Sequence, residues 1–111
     1  MYSLLLIIPP TTDLNRVDEL WPQFLKEAEK MPGLSRESVT LIEGPIYGKR
    51  NIARIYTFHF PDQAALRSAL SSPAGERAGE LIHQLTEGKV QILTGKTLED
   101  VPSPPSSRDK A

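Results

Sequence analysis

Five aliphatic residues in a row, Leu4 to Ile8, stop abruptly at Pro9-Pro10. A run this short and apolar reads as a strand, because proline cannot continue a sheet ladder and helices need more length. Successive side chains of a strand point to opposite faces, so this strand is apolar on both. It therefore needs cover from two sides. What supplies the second cover is the constraint that the rest of the chain must meet.

The next signal is helical. Val17, Leu20, Trp21, Phe24, Leu25, Ala28 and Met31 recur at helix spacing, with Asp13 or Asn15 as the start cap and Pro32-Gly33 as the stop. Pro22 falls inside that stripe and predicts a kink or a separate first turn. "ESVTLIEG" then alternates, with Val39 and Leu41 on one face and Thr40 and Ile42 on the other. "ARIYTFHF" repeats the pattern with Tyr56, Phe58 and Phe60 opposite Ile55, and "GPIYGKRN" joins the two as a hairpin loop. Asp62 caps a short helix carrying Ala65, Leu66, Ala69 and Leu70. Ser72 and Pro73 break it and start another, capped by Ser72 with proline at the first helical position. The second piece presents Ala74, Ala78, Leu81, Ile82 and Leu85 on its own stripe, Gly88 ends it, and "KVQILTG" is the last strand.

The order is β-α-β-β-α-β, an α+β ferredoxin-like domain over residues 1–98. It predicts a four-stranded antiparallel sheet with the helices on one face and the first and third strands central. Residues 99–111 carry three Pro, three Ser and little that is apolar, and read as a disordered tail. A chain of 111 residues has no spare segment for the bare face. A second copy packed sheet against sheet is the economical cover, so the chain is expected to form a homodimer.

Several function classes drop out. With no Cys there is no thiolate chemistry or disulfide. The formal charge of −1, with Lys and Arg scattered, gives no nucleic-acid footprint and no anionic membrane surface. The N-terminus lacks a cationic start and a cleavage pattern, and no run is long enough to cross a bilayer, so a cytoplasmic protein is expected. No HExxH, nucleophile elbow or phosphate-cradling turn is present, and no metal or other cofactor is expected.

The stretch "YTFHFPDQAALRSALSSPAGERAGELIHQLTEGKVQILTG" resembles the EthD-like branch of the dimeric α/β-barrel proteins. The likeness rests on the aromatic third strand, the "ALxxALxSPxG" helix break and the Gly-containing turn into a final strand. "KMPGLSR" fits as well. The resemblance implies a homodimeric barrel and a small-molecule pocket between each sheet and its own helices. The wider superfamily includes cofactor-independent monooxygenases, haem-degrading enzymes, chlorite dismutases and polyketide cyclases, while EthD-like members mostly lack a defined reaction. Many carry a histidine in the first helix. Here that region reads "VDELWPQFLKEAEKMPG" and has none, so activity dependent on that residue is not implied.

His59 ends a central strand, where imidazole suits acid–base work near neutral pH, and it is the catalytic candidate. A half-buried strand-end histidine bonded to the backbone is the plainer reading. His83 lies one step outside its helix's core positions and borders solvent. Trp21 and Phe24 belong to a core stripe that also lines the implied cavity. Tyr56 is a hydrogen-bond donor to a carbonyl if its face looks toward the helices. Arg54, on the same face, is expected to pair with Glu43 or Asp62. Tyr47 sits in the hairpin loop, a solvated turn or a lid hinged at Gly44 and Gly48. Trp21, Phe24, Tyr56 and Tyr47 are thus the substrate-binding candidates for a small apolar or aromatic metabolite. An oxygenase, cyclase or isomerase and a non-catalytic binder or accessory protein are the two functional expectations.

Overall fold

The computed structural model describes residues 1–100 and residue 102. Pro9 and Pro10 end β1 (Tyr2–Ile8), and Asp13 caps α1 (Leu14–Ala28) by accepting a bond from the Arg16 N–H. There follow β2 (Arg36–Leu41), β3 (Arg54–Phe60), α2 (Gln63–Ser71), α3 (Pro73–Leu85) and β4 (Gln91–Lys96). The strands form one antiparallel sheet in the order β2-β3-β1-β4, which puts β1 and β3 at its centre as their apolar content requires. The protein is a four-stranded ferredoxin-like α+β domain, as the element order predicts. Most of the stretch expected to be a tail lies outside the described residues. Of its described part, Glu99 pairs with Arg36.

Register sorts the side chains between two faces. Leu4, Leu6 and Ile8 stand beside Tyr56, Phe58 and Phe60, and all six are buried under Val17, Phe24, Ala28, Leu66, Ala69, Ala78, Ile82 and Leu85. The opposite face carries Leu5, Ile7, Ile55 and Thr57, half-buried, with Leu93 beside Leu5 and 48% exposed.

The helix break is built as its residues suggest. Ser72 closes α2 and opens α3 at once. Its Oγ donates to the Ala69 carbonyl at 2.6 Å and accepts from the Gly75 N–H at 3.1 Å. The turn is so tight that a Cβ on Gly75 would lie 2.2 Å from the Ala69 carbonyl oxygen. Only a glycine fits there, which gives the "SPxG" spacing a steric cause. Gly88, at a φ of +75°, ends the α3 turn where a left-handed residue is needed.

Some boundaries differ from the sequence reading. α1 runs unbroken through Pro22, so no separate first turn forms. Pro22 removes only one internal donor and faces solvent, while the buried stripe of Val17, Phe24 and Ala28 holds the helix to the sheet. The helix stops at Ala28, although Met31 still packs into the core. β2 ends at Leu41, and Val39 and Leu41 are 49% and 61% exposed, because no helix reaches over that edge. β4 begins two residues later than "KVQILTG" suggests.

Candidate functional site

The uncovered margin beside α1 is where the pocket lies. A cavity of about 220 Å³ opens between Trp21 and Leu25 on α1, Glu37, Ser38 and Val39 on β2, and Tyr56 and Phe58 on β3. Its walls follow from two periods that meet. The helix repeat brings Trp21, Phe24 and Leu25 onto one stripe, and the strand repeat puts Tyr56 and Phe58 on the face below them. The Trp21 ring stacks on Tyr56 with centroids 3.8 Å apart and an interplanar angle of 23°. Phe24 lies 4.6 Å from Trp21 and meets Phe58 edge-on at 6.0 Å. Phe24 and Phe58 are themselves buried and also line a smaller apolar hole of about 50 Å³ beneath α3.

Tyr56 faces the helices, the condition its ligand-binding reading set, and its hydroxyl meets a cation. Arg54 donates from Nη1 to the Tyr56 Oη at 3.2 Å and grips the Asp18 carboxylate with both arms, Nη1 to Oδ1 and Nη2 to Oδ2, the latter at 3.2 Å. The partner of Arg54 is therefore Asp18 of α1, not Glu43 or Asp62. The helix passes directly over the strand here, whereas Glu43 sits in the loop and Asp62 caps α2. The guanidinium bond lowers the Asp18 carboxyl below the usual carboxylate range, and the same bond holds Arg54 more firmly charged.

Glu37 is a pocket residue that the sequence reading did not single out. Burial raises its carboxyl, and the neighbouring charge of Glu29 adds to the rise. Its place opposite Phe58 depends on the β2–β3 register, which the local sequence does not display.

His59 is not in this pocket. It alternates with Phe58 and Phe60 and so points to the open face of the sheet. There it is 7% exposed, with Nδ1 at 2.9 Å from the Ser3 Oγ. Ser3 also bonds Thr97, and Arg36, the register partner of His59, pairs with Glu99 at 2.9 Å. Burial, then the charge of Arg36, lowers the His59 pKa, against a smaller opposing effect of Glu99. Trp21, Phe24 and Tyr56 are thus brought together, and His59 is kept apart from them by the thickness of the sheet. Tyr47 is 97% exposed in the hairpin loop and does not line the pocket. His83 is exposed. Among the described residues, no group of three His, Cys, Asp or Glu side chains is gathered to hold a metal ion. No helix among them is long and apolar enough to cross a membrane.

The chain matches no protein-family model and no curated protein sequence. Its structure is nevertheless similar to solved ones. An ethyl tert-butyl ether D (EthD) family protein from Bacillus halodurans superposes with a TM-score of 0.79 at 20% identity, over 88% of this chain and 99% of that one. A dimeric ferredoxin-like protein of unknown function from Jannaschia sp. CCS1 gives 0.62 at 18% identity, over 86% and 97%. SnoaB, a cofactor-independent oxygenase from Streptomyces nogalater, gives 0.59 at 13%, over 92% and 97%. Together with the strand order, these likenesses show that the chain has the ferredoxin-like fold, which it shares with that EthD family protein and with the dimeric ferredoxin-like protein.

Proposed function

We propose that the protein binds a small, largely apolar or aromatic metabolite in the pocket between α1 and the β2–β3 margin, in the cytoplasm and through its own side chains. The observation that carries this reading is the stacked Trp21–Tyr56 wall beside a cavity of about 220 Å³. Pockets for drug-sized ligands start near ~300 Å³, so this one suits a ligand of one ring or slightly more. Trp21 is the chain's single tryptophan and reports on the pocket directly. Titration with naphthalene is expected to change Trp21 emission saturably in wild type and not in Val39→Phe, which fills the half-exposed side of the cavity. No saturable change in wild type sinks the reading.

If the ligand is transformed, in a reaction of oxygenase, cyclase or isomerase type, Glu37 is the pocket's acid–base group, with its pKa moved toward neutrality. That role is the one the sequence suggests for His59, which lies on the wrong face for it. The same observation favours a second reading, a non-catalytic binder or accessory protein, since no histidine lines the pocket. A pH-dependent turnover abolished by Glu37→Gln separates the first from the second.

We further propose that a second copy covers the open face, making a homodimer. The apolar Leu5, Ile7, Ile55 and Leu93 support it, as does the similarity to a protein described as dimeric.

A further inference from the structure

The contact between Arg54 and Tyr56 decides which way a proton points. A guanidinium carries only donors and does not give up its charge in proteins. In the bond from Arg54 Nη1 to Tyr56 Oη, the phenol oxygen is therefore the acceptor, and its own proton stays unused. Asp18 does not take that proton: its carboxylate bonds Arg54, and among the described residues no hydrogen bond joins it to Tyr56. Tyr56 is 6% exposed, and among the described residues no other group hydrogen-bonds its hydroxyl. A buried hydroxyl with an unspent donor is costly unless something accepts from it. The ring cannot swing away to find a partner, since Trp21 stacks on it.

Resting on the pocket reading above, we propose that the site selects aromatic compounds that carry a carbonyl oxygen, with Tyr56 donating to that oxygen and Asp18 and Arg54 acting as positioning residues. Arg54 does two things through Tyr56. It donates to the phenol oxygen, which leaves the O–H as the group free to serve a ligand as a donor. It also polarises the phenol, and a donor whose oxygen already accepts from a cation is the stronger for it. Asp18 keeps the guanidinium in the plane that reaches Tyr56, since a two-armed carboxylate bond fixes orientation as well as distance. The rest of the wall, Trp21, Leu25, Val39 and Phe58, is apolar and accommodates the ring.

The test compares two probes of nearly equal shape, acetophenone and ethylbenzene, which differ in the carbonyl. Affinity is read from Trp21 emission and the hydrogen bond from the infrared carbonyl stretch of bound acetophenone. Wild type is expected to prefer acetophenone by about three- to tenfold, the worth of one net hydrogen bond, and to lower its carbonyl frequency. Tyr56→Phe keeps the ring and is expected to remove both the preference and the frequency shift without weakening ethylbenzene. Asp18→Asn and Arg54→Lys are expected to shrink the frequency shift while ethylbenzene binds as before. A merely structural pair would not produce that signature. Equal binding of both probes with no frequency shift overturns the proposal and leaves the pocket reading standing. A shift that survives in both Asp18→Asn and Arg54→Lys overturns the positioning role. If neither probe perturbs Trp21, the pocket reading fails and the carbonyl proposal falls with it.

Discussion

One set of strands makes two different environments in this molecule. On the face toward the helices, Leu6, Ile8, Phe58 and Phe60 are at most 2% exposed, and the aromatic groups above them leave one open pocket at the β2 margin. On the other face, Leu5, Ile7, Ile55 and Thr57 are only half-buried, and the polar set Ser3, His59 and Thr97 sits at one end. The difference teaches that strand parity distributes the chemistry. Tyr56 and Phe58, two residues apart, share the pocket, whereas His59, adjacent to Phe58, belongs to another surface.

The largest effect that would test the contrast comes from the covered face. Phe58→Ala is expected to lower stability by about 3–5 kcal/mol, read as a drop in the urea midpoint, because the cavity it leaves lies beneath two helices. A loss below ~1 kcal/mol would mean that this face is not the core. On the open face the expected loss is of association, not of fold. Leu93→Lys puts an unpaired charge where a second copy is proposed to sit, and should raise the dimer dissociation constant about a hundredfold. Sedimentation is expected to shift from dimer to monomer while Trp21 emission stays as in wild type. A wild-type protein that sediments as a monomer breaks the comparison, since the open face would then be covered by nothing.

A smaller and more local effect tests how the covered face gets its lid. Gly75→Ala must push against a backbone carbonyl and is expected to cost about 1–3 kcal/mol in thermal or urea unfolding. Gly79→Ala, on the same helix, meets nothing within 4 Å and should be neutral or stabilising by up to ~1 kcal/mol. Equal costs at the two sites would refute the steric account of the helix break.

The smallest effect is a pH dependence whose sign differs between the two faces. Burial and the charge of Arg36 lower the His59 pKa in the folded chain, so the unfolded chain binds its proton more readily. Stability from neutral His59 is present above the unfolded value near ~6.5 and is lost as pH falls through the lower folded value. Urea midpoints between pH 7.5 and 5 should therefore decline in wild type and decline less in His59→Gln. The pocket residue Glu37 has the opposite sign, because its raised carboxyl favours the protonated folded form on acidification. Glu37→Gln should steepen the decline, and a decline unaltered by either change would separate both groups from the acid response.

Much of this was written in local stretches of the chain. Strand β1 announces itself by Leu4 to Ile8 and the prolines, and its apolar content on both faces required a central place in the sheet. Ser72 and Pro73 specified the helix break, because capping acts within four residues. Even the separation of His59 from Tyr56 was present in the alternation of "YTFHF", which puts His59 with Ile55. These features are legible because they depend on near neighbours and on a fixed period. Which face turns toward the helices is another matter, for it is set by where α1 and α3 dock. The Asp18–Arg54–Tyr56 chain joins residues 36 apart, and the entry of Glu37 into the pocket rests on strand register. The open margin over β2 exists because the helices packed on the sheet do not reach over that edge strand. No local pattern encodes such distances, so the sequence by itself determined the elements and their order, and only the tertiary packing decided which side chains meet.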